Sequence, residues 1–102
     1  MNSVQLDIAW DAVKAQTNLA RHGVSFEQAA TVLQDALAVT VFDVAHSEYE
    51  ERWFTLGLSS EGKLLALSHT YQHTRPLDVT VRIISARPAT RRERQQYEEQ
   101  PR

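Results

Sequence analysis

The stretch that decides the fold runs from Arg52 to Ala86 and holds three β-type segments in succession: Arg52-Trp-Phe-Thr-Leu-Gly-Leu58, Lys63-Leu-Leu-Ala-Leu-Ser-His-Thr70 and Val79-Thr-Val-Arg-Ile-Ile-Ser-Ala86. β-Branched, aromatic and alternating apolar residues dominate all three, the composition of strands buried on at least one face. Ser59-Ser-Glu-Gly62 is short enough for a tight hairpin, whereas Tyr71 to Leu77, with Pro76, reads as a looser connection. These spacings make the three strands sequential and antiparallel. Ala38 to Phe42 supplies another strand just upstream.

Further toward the N-terminus, Val4-Gln-Leu-Asp-Ile8 alternates apolar and polar as a half-buried strand does, and stops at Trp10-Asp11. Asp11 then offers a carboxylate to the free N–H groups of a first helical turn. Ala12, Ala15 and Leu19 recur on one face until Gly23 supplies a left-handed stop, which predicts a helix over Ala12 to His22. Ser25-Phe-Glu-Gln28 has the spacing of a capping box and precedes Phe26, Ala29, Ala30 and Leu33, a second, short amphipathic helix. At the other end, Thr90-Arg-Arg-Glu93 repeats the capping pattern with Pro88 just outside, and opens a polar helix carrying Arg94, Tyr97 and Glu98. The predicted order is β-α-α-β-β-β-β-α. This is an α+β domain, a small antiparallel sheet with two N-terminal helices and one C-terminal helix. Without an internal repeat or a Pro/Gly/Ser linker, residues 1–102 read as one domain.

The 102 residues include no cysteine, so neither disulfides nor thiolate ligands contribute. The opening residues lack the basic start and apolar run of a signal peptide, and no apolar stretch has membrane-spanning length. A soluble cytoplasmic protein with no membrane partner is expected. The net charge of −2 argues against a nucleic-acid binder, but the charge is polarised. Residues 1–61 hold three basic side chains (Lys14, Arg21, Arg52) against nine acidic ones, and residues 62–102 hold eight basic against four acidic. Arg82, Arg87, Arg91, Arg92 and Arg94 crowd into one short segment, which reads either as a polyanion contact or as a solvated helix face.

Lys14, Asn18 and Arg21 share one side of the first helix, with His22 at its end. They read as a phosphate-facing strip or as an ordinary solvent face. His22 serves equally as a proton-transfer group or as a favourable charge at a helix C-terminus. Asp43, His46, Glu48, Glu50 and Glu51 crowd the segment before the third strand, but their spacing matches no metal signature, nor do His69 and His73, placed in a strand and the loop after it. No metal and no cofactor is expected. Arg82 interrupts an apolar strand on the face of Thr80, Ile84 and Ala86, and therefore needs an anion. Either one of the protein's own carboxylates, for example Glu50, or a substrate phosphate meets that need. Arg52 poses the same choice. No catalytic triad, phosphate-cradling glycine loop or dinucleotide fingerprint occurs, which excludes most enzyme classes but leaves a metal-free nuclease.

Trp10-Asp11, Lys14, Asn18 and His22-Gly-Val-Ser-Phe-Glu27, then His46-Ser47 with Glu50-Glu51-Arg52, then Arg82-Ile-Ile-Ser-Ala-Arg87, Ala89-Thr-Arg-Arg-Glu-Arg94 and Tyr97-Glu98, follow one another in a set order. In that order and spacing the chain resembles the BrnT family of type II toxins. The pattern covers nearly its whole length. Two departures stand out: Ala12 stands where the family has proline, and Tyr71 to Val79 is longer than the family's tight hairpin.

The resemblance implies a RelE-like fold and a metal-independent endoribonuclease that arrests translation. In such enzymes the ribose 2′-hydroxyl attacks the adjacent phosphate, so the protein must supply a base, an acid and cations. His22 or Glu50 would serve the proton transfers, and Arg52, Arg82 and Arg87 the phosphate charge. Lys14, Asn18, Arg91, Arg92, Arg94 and Tyr97 would bind RNA, free or on the ribosome. A BrnA-like antitoxin, two copies with two toxins, would neutralise the protein and alone contact operator DNA. RelE-like scaffolds also host gyrase poisons, and an inactive corepressor is a third possibility on this fold.

Overall fold

Asp11 and Thr90 cap helices as their sequence context predicts. In the computed structural model, which describes residues 5–101, Asp11 Oδ2 accepts from Lys14 N at 2.9 Å. Gly23, at φ 69°, closes the same helix by donating to Leu19 O. Thr90 and Glu93 form a full capping box, each side chain bonded to the other's backbone N–H. Each such cap is worth about 1 kcal/mol. The elements are β1 (Gln5–Trp10), α1 (Ala12–His22), α2 (Phe26–Ala30), β2 (Val39–Phe42), β3 (Trp53–Leu58), β4 (Leu64–Arg75), β5 (Asp78–Pro88) and α3 (Arg91–Glu98), with short 3-10 turns at Thr31–Gln34 and Val44–His46. The order agrees with the sequence reading.

The strands form one sheet in the order β1-β5-β4-β3-β2. Antiparallel hairpins build β2 through β5, but β1 adds to the far edge parallel to β5, Gln5 opposite Asp78 and Trp10 opposite Ile83. The sheet is therefore mixed rather than wholly antiparallel. A parallel neighbour needs a long crossover, and α1, α2 and three strands supply it. β1 reaches Trp10, two residues beyond the predicted end, while Val4 lies outside the described residues.

Tyr71 to Leu77 is not a loose loop. β4 runs on to Arg75 and β5 starts at Asp78, so Pro76 and Leu77 alone make the turn. His73 consequently sits in a strand, paired with Val79. The polar residues of this ribbon, Gln72 to Arg75, are exposed, which removed the apolar signal of a strand although the pairing continues, with one irregularity at Thr74. A register shift opposite Ser68 and His69 inserts an extra residue at Ile84. The bulge turns Ala86 to the helix-covered face, away from Arg82 and Thr80, where strict alternation had placed it.

The main core lies between the sheet and α1 and α2, with Phe26, Val32, Leu65, Leu67, Ile83 and Ala86 almost fully buried. Burying each of the large ones contributes roughly 1.5–3 kcal/mol. The turn at Thr31–Gln34 presses so closely on β3 that a Cβ on Gly57 would lie 2.9 Å from Val32 Cγ1. On the opposite face α3 covers only one end of the sheet, where Tyr97 packs on Leu56, Leu64 and Ala66. The rest of that face is open.

α1 is rotated from its predicted orientation. Ala15 packs on the core as predicted, but Leu19 is 51% exposed and Asn18, 6% exposed, turns inward. Asn18 Nδ2 donates to Val24 O and Ala86 O, and Oδ1 accepts from Ala86 N. Its amide thus fastens helix, loop and bulged strand together.

Candidate active site

The uncovered face of the sheet forms an open cleft of about 390 Å³ lined by Asp43, His46, Arg52, Phe54, Ser68, Ile84, Ser85 and Arg87. Phe54 and Ser68 reach it because they oppose each other on β3 and β4, and Ile84 and Ser85 because the bulge presents them. Arg52, just ahead of β3, and Arg87, late in β5, bring guanidinium groups to its walls.

Glu50 joins the arginines at one end. Arg82 Nη2 donates to Glu50 Oε2 at 2.6 Å, and Arg52 Nε lies 3.6 Å from Glu50 Oε1. The anionic partner required by Arg82 is thus Glu50, although both side chains keep at least 40% exposure and the pair is not buried. At 3.6 Å the Arg52 contact is too long for a hydrogen bond, and Arg52 Nε has no other hydrogen-bond partner. That donor is desolvated but unsatisfied, which costs stability.

Arg87 is tied differently. Two parallel bonds of 2.7 and 3.0 Å link it to Glu93 at the start of α3. The guanidinium hydrogen bond holds the Glu93 carboxyl down at about 2, and the same bond raises the Arg87 value further. Glu93 serves the capping box as well, so the first turn of α3 fixes the angle at which Arg87 meets the cleft.

The candidate residues divide into three groups. Glu50, Arg52, Arg82 and Arg87 gather on the open face. His22 stands apart, lining a groove with Lys14, Arg21, Ile84 and Ser85 and another with Lys63 and Arg94. The first groove meets the arginine cleft at Ile84 and Ser85, so the two share a wall rather than a centre. Arg91, Arg92 and Arg94 are exposed on α3 with no ion pair among the described residues. Asn18 and Tyr97, expected to bind RNA, are instead buried and engaged: Asn18 with backbone, Tyr97 through its hydroxyl with Asp35. Neither side chain is available to a ligand in this conformation.

His46 enters the site without having been singled out for catalysis. Its Nδ1 lies 2.9 Å from Asp43 Oδ2. In sequence the pair belonged to an acidic stretch considered and rejected as a metal site, and among the described residues no three His, Asp or Glu side chains are grouped to share a cation. An Asp-x-x-His step across a tight turn was the available signal. Only the folded sheet brings it into one cleft with Arg87.

The chain matches the family model of the ribonuclease toxin BrnT of type II toxin–antitoxin systems over residues 10–93. Among solved structures it is similar to the Brucella abortus ribonuclease toxin BrnT, with a TM-score of 0.59 and 21% identity over 85% of this chain and 100% of that one. At this identity the likeness speaks for the fold. No curated protein sequence matches. Glu50, Arg52, Arg82, Arg87, His22 and His46 all fall inside the family match, whereas Arg94 and Tyr97 lie beyond it.

Proposed function

This chain belongs to the BrnT family of ribonuclease toxins of type II toxin–antitoxin systems, and on that premise we propose that it is a metal-independent endoribonuclease that arrests translation in the cytoplasm and is silenced by a BrnA-like antitoxin. The observation that carries the reading is the convergence of Arg52, Arg82 and Arg87 on one open face, with Arg52 Nε left without a hydrogen-bond partner.

The 2′-hydroxyl of the substrate loses its proton and attacks the adjacent phosphorus. The bond to the 5′-oxygen breaks, and that oxygen takes up a proton. One strand thus ends in a 2′,3′-cyclic phosphate and the other in a 5′-hydroxyl. Arg52 and Arg82 meet the charge that grows on the phosphate, and Arg87, held by Glu93, meets it from farther along β5. Of the two residues expected to move protons, Glu50 stands among the arginines and His22 does not. Glu50 holds two guanidinium groups in register until a phosphate displaces it. Lys14, Arg21 and the α3 arginines, exposed around the cleft, guide the flanking RNA.

The antitoxin acts by covering this face, in an assembly with two copies of each chain, and it alone contacts operator DNA. Expression of the toxin without its antitoxin tests the reading. Growth arrest, falling protein synthesis and RNA fragments with 5′-hydroxyl ends are expected. Loss of DNA supercoiling with intact RNA would transfer the protein to the gyrase poisons. Normal growth with soluble, folded toxin would leave only a corepressor.

A further inference from the structure

Transesterification needs an acceptor for the 2′-hydroxyl proton, and the Glu50 carboxylate is already engaged by Arg82 and faced by Arg52. One imidazole lines the same cleft. We propose that His46 is the general base of RNA cleavage and that Asp43 positions it, an inference that rests on the ribonuclease reading above.

The backbone fixes His46 relative to Arg52. Asp43 N donates to Arg52 O at 2.9 Å, closing the ladder between β2 and β3. Ser47 Oγ donates to Asp43 O and accepts from Arg52 N at 3.0 Å, so the turn at Val44–His46 is stapled to the residue that carries the unsatisfied guanidinium. Displacing the backbone of this turn relative to Arg52 must break these bonds. Asp43 Oδ2 engages His46 Nδ1 and holds the ring proton there, leaving the Nε2 lone pair to accept. The carboxylate is sheltered, with its side chain 21% exposed, while the ring is 68% exposed and open to a substrate.

A solvent-exposed His–Asp pair at this spacing is ordinarily a surface contact worth less than about 1 kcal/mol. The company it keeps separates this one. The charged and titratable side chains sharing its clefts are Asp43, Glu48, Tyr49, Glu50, Arg52 and Arg87. Asp43 faces the ring at Nδ1, and guanidinium groups in the same cleft meet the charge on the phosphorane oxygens. In the step itself, Nε2 takes the proton from O2′ as the O2′–P bond forms. The P–O5′ bond then breaks, with solvent water in the open cleft protonating the departing oxygen.

The test uses the purified full chain with a mixed-sequence single-stranded RNA, and in parallel with ribosomes programmed with messenger RNA. Cleavage rates under single-turnover conditions are followed from about pH 5 to 9, the range in which imidazoles titrate. The wild type shows a rate that rises along an acid limb. His46→Ala loses that limb and slows by about 10²- to 10⁴-fold, while its melting temperature stays unchanged. Asp43→Asn keeps the limb but lowers the plateau, because an amide can donate to Nδ1 and leave the proton on Nε2. If His46→Ala cleaves at the wild-type rate, or slows yet retains the limb, the inference falls and the ribonuclease reading stands. If the wild type cleaves neither substrate, both fall.

Discussion

On the face of the sheet covered by α1 and α2, Leu65, Leu67, Ile83 and Ala86 are buried, and a polar intruder, Asn18, gives its amide to three backbone bonds. On the opposite face, beyond the end covered by α3, β3 to β5 and the residue leading into β3 carry Arg52, Arg82 and Arg87 around open solvent. The first face converts polar groups into fasteners. The second keeps them exposed, with Arg52 Nε short of a partner. One sheet supports both because side chains alternate across it, so stability and charge are written into adjacent residues of the same strand. Substitutions on one face should therefore change folding, and on the other activity.

The largest effect is expected at the arginines. Arg52→Ala and Arg82→Ala should each slow RNA cleavage by about 10²- to 10³-fold, some 3–4 kcal/mol of transition-state stabilisation, and abolish growth arrest. Their melting temperatures should match that of the wild type. Full toxicity of a folded variant would remove the phosphate-clamp role and with it the division between the faces.

Asn18→Ala is the converse. It strands the Ala86 N–H and two carbonyls, and should lower unfolding free energy by about 2–3 kcal/mol in a urea titration. Cleavage per folded molecule should persist. Unchanged stability with lost RNA binding would return Asn18 to the role expected from its place in the sequence.

The smallest effects are in the acid range. Glu93, whose carboxyl is held at about 2 against an ordinary 4.5, adds stability that is present above pH 4.5 and lost as pH falls toward 2. With Arg87 40% exposed, screening limits this to about 1–2 kcal/mol. His69, fully buried and bonded to Thr55 Oγ1, has its value pushed below 6.5 by desolvation. The unfolded chain therefore takes up a proton first, and stability begins to fall as pH drops below 6.5. Unfolding midpoints measured across pH should lose the upper step in His69→Gln and the lower one in Glu93→Gln. Parallel slopes in all three proteins would assign the acid sensitivity elsewhere.

Much of this architecture was legible because local rules agree with the fold. Caps at Asp11, Ser25 and Thr90, the glycine stop at Gly23 and the apolar strands each announced their element. The need of Arg82 for an anion, with Glu50 as the named example, was legible from hydropathy alone. What escaped depended on long-range geometry. A polar residue on a helix looks solvent-facing whether or not a bulged strand waits to bond it, so Asn18 was misplaced. Tyr97 was read by its chemistry, although its ring fills the gap between α3 and the sheet. The exposed ribbon at Gln72 to Arg75 carries no apolar alternation, and one extra residue at Ile84 reversed the facing of Ala86.

The parallel pairing of β1 with β5 also orders events in time. Gln5 is opposite Asp78, so during synthesis the first strand waits while the chain grows by the 73 residues that separate them. At roughly 5–20 residues per second the wait is about 4–15 s. Arg82 and Arg87 are made only with that late strand. Until β5 is made, β1 lacks its partner strand and the arginine cluster of the open face is incomplete.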